Sequence, residues 1–142
     1  FHLEATWSWV DLGAGTSFTT LALIISSDSK IIDNMLHITI TNATALLQKR
    51  VAGGSFVTLG TIDFTGHSLA LGGARHVARV DVSGTTARLI VDDQSVTVSD
   101  ADIPSVIGSF IGVEHYTATT SVRYPMTVYS VGAAFKALAF PT

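Results

Sequence analysis

The chain has 142 residues, 47% of them hydrophobic and only 13% charged, with a formal net charge of -3 and no cysteine. That length suits one folded domain with a real core, and the hydrophobic excess excludes a disordered segment. Without cysteine there are no disulfides, thiolate metal sites or cysteine nucleophiles, and the scattered Lys and Arg form no basic stripe for nucleic acid.

Phe1, Leu3, Ala5, Trp7 and Trp9 share one parity, and His2, Glu4, Thr6 and Ser8 the other. That predicts a first strand with one buried face, ended at Gly13-Ala14-Gly15. LALII at 21–25 is continuous and β-rich, as in a strand buried on both faces. Residues 26–30 read as a polar loop. Leu36, Ile38 and Ile40 then alternate with His37, Thr39 and Thr41. A strand over 46–51, a turn at Gly53-Gly54 and a returning strand over 56–59 make a hairpin. Ile62 and Phe64 suggest a further short strand before Gly66, and Gly72-Gly73 a loop.

Residues 76–98, HVARVDVSGTTARLIVDDQSVTV, alternate in three runs with breaks at Ser83-Gly84-Thr85 and Asp92-Asp93-Gln94. Three such runs predict an antiparallel meander with Leu89 on its core face. Residues 99–105 are polar and include Pro104, which suits a short helical turn. A strand over 110–116 follows. Val122, Tyr124, Met126 and Val128 form a last long alternating run reaching Val131, and Ala133, Ala134 and Ala137 permit a turn of helix after it. No stretch holds a 3.6-residue period over ten residues. Nor does any reach the roughly 18 apolar residues of a membrane-spanning helix, so no membrane insertion is expected. The fold class expected is all-β: a two-sheet antiparallel β-sandwich.

The order of these pieces resembles the laminin-G-like, or concanavalin A-like, lectin jelly roll. FHLEATW is similar to the F-T-x-E-A-W strand of such domains. LHITITNATALLQKR fits the middle strands. HVARVDVSGTTARLIVDDQSV resembles the H-x5-D-G-x4-L-Y-V-D-G-x-x-V segment, with Asp93 standing where the turn usually has glycine. FIGVEHY and MTVYSVGAAF resemble the closing strands. The resemblance implies one jelly-roll domain over 1–142, here read as the C-terminal part of a longer chain whose usual first strand lies upstream of Phe1. It also implies binding of carbohydrate or protein. The Ser, Thr, Gly and Ala-rich wording and the closing AAFKALAFPT are further similar to C-terminal domains of bacteriophage minor tail proteins.

Catalytic patterns are weak. Jelly-roll glycosidases carry E-x-D-x-E on one strand, whereas this chain has only Glu4 and Glu114, far apart. There is no G-x-S-x-G elbow, and the five histidines show no zinc spacing; each reads as a surface or loop residue. Asp92, Asp93, Asp100 and Asp102 are the set a calcium ion would use. Aspartate is also an ordinary turn residue, so no metal or other cofactor is expected. Sugar binding wants an exposed ring flanked by polar groups. His115, Tyr116 and Arg123 are the surface candidates, with Trp9 beside its loop as a fourth. The expectation is a non-enzymatic recognition domain of a virion tail or fibre, located on the virion or extracellularly. Its partners would be a cell-surface glycan or protein, in a homo-oligomer or larger virion assembly. The alternatives are a ligand-free packing domain of a tail or capsid, or an accessory carbohydrate-binding module of a secreted bacterial protein.

Overall fold

The computed structural model describes residues 1–9, 17–64, 66, 68–69, 73–117, 123–124 and 126–134; for 17–19, 115–117 and 123–124 the backbone alone is described. Two antiparallel-rich sheets pack face to face as a jelly-roll β-sandwich. The five-stranded sheet has the order β11 (Met126–Ala134), β1 (His2–Trp9), β6 (His76–Ser83), β7 (Thr86–Val91), β8 (Gln94–Ser99). The second sheet runs β10 (Arg123–Tyr124), β2 (Ser17–Ser26), β3 (Met35–Ile40), β4 (Thr44–Arg50), β5 (Val57–Asp63), and β9 (Phe110–Thr117) also pairs with β2.

The alternation read from the sequence decides which residues meet between the sheets. Leu3, Ala5, Trp7 and Trp9 of β1, with Val80, Leu89 and Val91 of the meander beside them in the same sheet, share one core with Leu21, Leu23 and Ile25 of β2 and Leu36, Ile38 and Ile40 of β3. Directly paired residues of neighbouring strands share a face, so the register carries this inward set from strand to strand. The run at 21–25 is buried on both faces, as expected. One short helix, α1 (Ile103–Val106), closes an end of the core with Ile103 and Val106. Lys49 sits on the inward parity of β4, opposite Leu36. Its ammonium reaches both oxygens of Asp100 at 2.7 and 2.8 Å and Asp102 at 2.6 Å, tying β4 to the start of α1. That bonding, Asp100 first, holds the lysine pKa above its ordinary value and the Asp100 carboxyl below its own.

Four expectations change. Residues 56–59 and 62–64 are not separate strands: β5 runs unbroken through Gly60, with its Leu59 bulged opposite the step from Leu47 to Gln48 of β4. The long run ending at Val131 divides into β10, in one sheet, and β11, in the other. β11 extends to Ala134, in place of a helical turn at Ala133 and Ala134; Ala137 lies outside the described residues. Finally, the left-handed residue of the β7–β8 turn is Asp92, at φ 51, one position before Asp93.

Candidate functional site

The outer face of the six-stranded sheet carries the residues of parity opposite to the core. The register aligns Ile24 of β2 with His37 of β3, His37 with Gln48 of β4, and Met35 with Arg50. Across β2, Ile24 pairs with Gly112 and Ala22 with Glu114 of β9. At one end of this face lies a pocket of about 300 Å³ lined by Ile24, Ile31, Met35, His37, Arg50, Phe56 and Glu114. That is the lower end of the size range of small-ligand sites.

Two loops build its rim. In residues 27–34 the Asp28 carboxylate accepts from the backbone N–H groups of Lys30, Ile32 and Asp33. Those bonds, chiefly with Lys30 and Asp33, hold the Asp28 pKa below its ordinary 3.8. They also fix the loop in a shape that puts Ile31 at φ 54, a left-handed conformation costly for a β-branched residue. The β4–β5 turn docks on this loop. Gly53 N–H donates to Asp33 O, and Ala52 N–H to Asn34 Oδ1, each at 2.9 Å. Gly53 sits at φ 72, and a Cβ there would lie 3.0 Å from Asp33 Oδ1.

The turn in turn orients Arg50. Its Nε donates to Gly54 O at 2.8 Å and its Nη2 to Gly53 O at 3.0 Å, with the guanidinium carbon 5.3 Å from the centre of the Phe56 ring. The remaining guanidinium donors meet no carboxylate among the described residues. Phe56 is 42% exposed and lies over His37, with ring centres 4.7 Å apart and planes tilted by 31°. Gln48, paired with His37 across the strands, donates to Thr58 Oγ1 at 3.1 Å, and His37 Nδ1 is buried without a hydrogen-bond partner among the described residues. Burial lowers the His37 pKa, outweighing the opposing pull of Gln48 and Glu114, so the imidazole is neutral at pH 7. Glu114 is exposed on the far side. The pocket thus presents a solvent-facing aromatic ring, an oriented cationic donor and an anionic acceptor, with Glu114 the single carboxylate among its described lining residues.

The residues expected from the sequence fall elsewhere. Trp9 is fully buried, its ring 5.8 Å from Trp7 and 5.5 Å from His76, so it is core and no sugar platform. It shares the parity of Leu3 and Ala5, and that outweighs its place at the strand end. The backbones of His115, Tyr116 and Arg123 do come together along β2, opposite Leu21, Thr20 and Ser17. Their side chains lie outside the described residues.

The four aspartates do not form one calcium site. Asp92 and Asp93 precede β8, and Asp100 and Asp102 follow it, a strand length of about 20 Å apart. Asp92 accepts from His76 Nδ1 at 2.8 Å and from Val77 N–H at 2.9 Å, while Asp100 and Asp102 hold Lys49. Among the described residues no three His, Asp or Glu side chains are grouped to hold a metal. His76, expected on a solvated face, is buried between Trp7 and Trp9. His37, Arg50, Phe56 and Glu114 were not singled out by sequence. The signal available was an aromatic residue just past Gly53-Gly54, with a histidine and an arginine on the outward parity of the adjoining strands.

No protein-family model matches the chain, and no curated protein matches it. Solved structures do. Sheep galectin-11 in complex with glycerol superposes with a TM-score of 0.61 at 8% identity, over 92% of this chain and 86% of that one. The carbohydrate-binding module CBM66 from Bacillus subtilis gives 0.60 at 14% identity, over 92% and 72%. A family 7 alginate lyase in complex with substrate gives 0.58 at 13% identity, over 92% of this chain and 58% of the lyase. The chain shares the jelly-roll sandwich of these proteins.

Proposed function

We propose that this chain is a non-enzymatic carbohydrate-recognition domain that binds a saccharide on the outer face of its six-stranded sheet. The observation that carries the reading is the pocket of Arg50, Phe56, His37 and Glu114, with an exposed ring beside an oriented donor and an acceptor. A saccharide offers an apolar C–H face to Phe56 and hydroxyls to the charged groups on the two sides of the pocket. Arg50 donates to a hydroxyl oxygen and Glu114 accepts from an O–H. Jelly-roll neighbours whose names include galectin and a carbohydrate-binding module support the reading. Among the described residues no second carboxylate, needed for general acid and base on one sugar, lines the pocket, which supports recognition over hydrolysis.

The finer part of the proposal places the domain at a virion tail or fibre tip, where it contacts a host cell-surface glycan. Its support is the likeness of the chain's wording to phage minor tail domains. Binding in such a shallow site is weak per copy, and several copies in one assembly raise the apparent affinity. The test is binding of the purified domain to a glycan array and to bacterial cells, with and without chelator. Saturable binding that survives chelation and is lost in Arg50→Ala and Phe56→Ala variants is the expected result. Binding unchanged in both variants would move the site off this pocket.

A further inference from the structure

The nine residues of β11, MTVYSVGAA, contain no charge and no proline. Among the described strands β11 pairs with β1 alone, and no described strand takes up the backbone donors and acceptors along its other side. Sheet edges are normally blunted by charge, proline or shortness, because an open edge recruits another strand. The other edges are managed. β9 carries Glu114 and β5 carries Asp63. β8 is only six residues long, and its Val96 and Val98 pack beneath Gly60 of β5. On β11, by contrast, Val128 and Val131 are each 37% exposed although their parity is inward, and Tyr129 is 43% exposed.

The bulge in β11 adds a symmetry. Trp9 pairs with Met126, Trp7 with Val128, Ala5 with Val131 and Leu3 with Ala133, and Tyr129 is the extra residue. The inward set is therefore 126, 128, 131 and 133, which reads the same in both directions about the Tyr129–Ser130 bond. A two-fold axis there sets Val128 against the partner's Val131 and Met126 against the partner's Ala133. Every inward residue then meets an inward residue. Contacts about a two-fold axis bring a surface against itself; the strand's own residues form no like-charge pair, and the nearby cation, Arg75, is stacked on the outer-face Tyr129 ring with its guanidinium carbon 3.9 Å from the ring centre. We propose that β11 is a self-pairing edge: a second copy of this chain adds its β11 antiparallel to the first, joining the two five-stranded sheets into one.

The same register places Thr127 opposite the partner's Gly132, both on the outer face, and a Cβ at Gly132 meets nothing within 4 Å. That permits a charge-swap test on the full chain by sedimentation equilibrium. The wild type is expected at twice its 14.9 kDa mass. A Thr127→Lys/Gly132→Lys variant and a Thr127→Glu/Gly132→Glu variant are each expected as folded monomers by circular dichroism, and their equimolar mixture as a restored dimer. A wild type that stays monomeric at about 100 µM, where a Kd of about 10 µM already pairs most chains, overturns the proposal. So do charged variants that remain dimeric, or a mixture that remains monomeric. Should either variant fail to fold, hydrogen exchange on the wild type decides. Protection of β11 amides that rises with protein concentration supports the pairing, and protection independent of concentration refutes it.

Discussion

Gly60→Ala tests how tightly the sandwich closes along its β5–β8 side. A Cβ at Gly60 would lie 2.7 Å from Val98 Cγ1, 3.0 Å from Val96 Cγ2 and 3.4 Å from Val96 Cγ1. Carbon atoms prefer separations of about 3.5–4.0 Å, so β5 and β8 must part by most of an ångström. Both neighbours are β-branched and stiff at χ1, and neither swings aside at no cost. Overpacking of this kind costs about 1–3 kcal/mol. Losing glycine's freedom in the unfolded chain returns about 0.4–1 kcal/mol. The expected net loss is about 1–2 kcal/mol, a fall in Tm of about 3–7 °C for a domain of this size. Urea and thermal denaturation followed by circular dichroism measure it. The double variant Gly60→Ala/Val98→Ala, which removes the nearest methyl, should show a favourable coupling of about 1 kcal/mol. A Gly60→Ala variant that melts at or above the wild type would refute the close approach.

Acid should destabilise the fold in two stages. Burial holds the His37 pKa below its ordinary 6.5, so the unfolded chain takes up a proton that the native state refuses. Stability is therefore full above about pH 6.5 and declines below it, and His37→Gln should remove much of the fall in urea midpoint between pH 7.5 and 5.5. An unchanged pH profile would clear His37 of that role. The carboxyls of Asp28, bonded to backbone N–H groups, and Asp100, bonded to Lys49, are held below 3.8, and their contribution is lost only as pH falls below that value. Leu89 is fully buried, so Leu89→Asp should leave the domain unfolded or aggregated, because it buries an unpaired charge. A variant that melts like the parent would contradict the register of the meander. Arg50→Ala should lower saccharide affinity at least tenfold, read by isothermal titration against a saccharide selected on the array, while the fold persists.

Strand parity made most of the fold legible. The inward residues of β1 and the meander, including Trp7 and Leu89, are buried as parity predicts, whereas β3, which also alternates in sequence, is buried on both faces, Met35, His37 and Thr39 included. The misreadings occurred where a local signal competed with parity. The reading ended one strand at 59 and began another at Ile62, yet β5 runs through Gly60, where the absence of a side chain lets β8 press on β5. Trp9 looked exposed because it ends a strand, yet its parity takes it inward. The run from 122 to 128 kept one alternation, although β10 and β11 lie in different sheets and the bulge at Tyr129 shifts the parity before Val131. The aspartates looked like one cluster because they are close in sequence, and β8 carries them to opposite ends. The pocket was hidden for a different reason. It is assembled from β2, β3, β4, β9 and two interlocked loops, and only the register between strands brings His37, Arg50, Phe56 and Glu114 together.

The most direct test of the account is a titration of the isotopically labelled domain with the saccharide selected on the array, followed by backbone and arginine side-chain NMR shifts. The account predicts saturable shifts centred on His37, Arg50, Phe56 and Glu114, with the outer face of the five-stranded sheet unmoved. Saturable shifts centred on that opposite sheet, with the pocket silent, would contradict it.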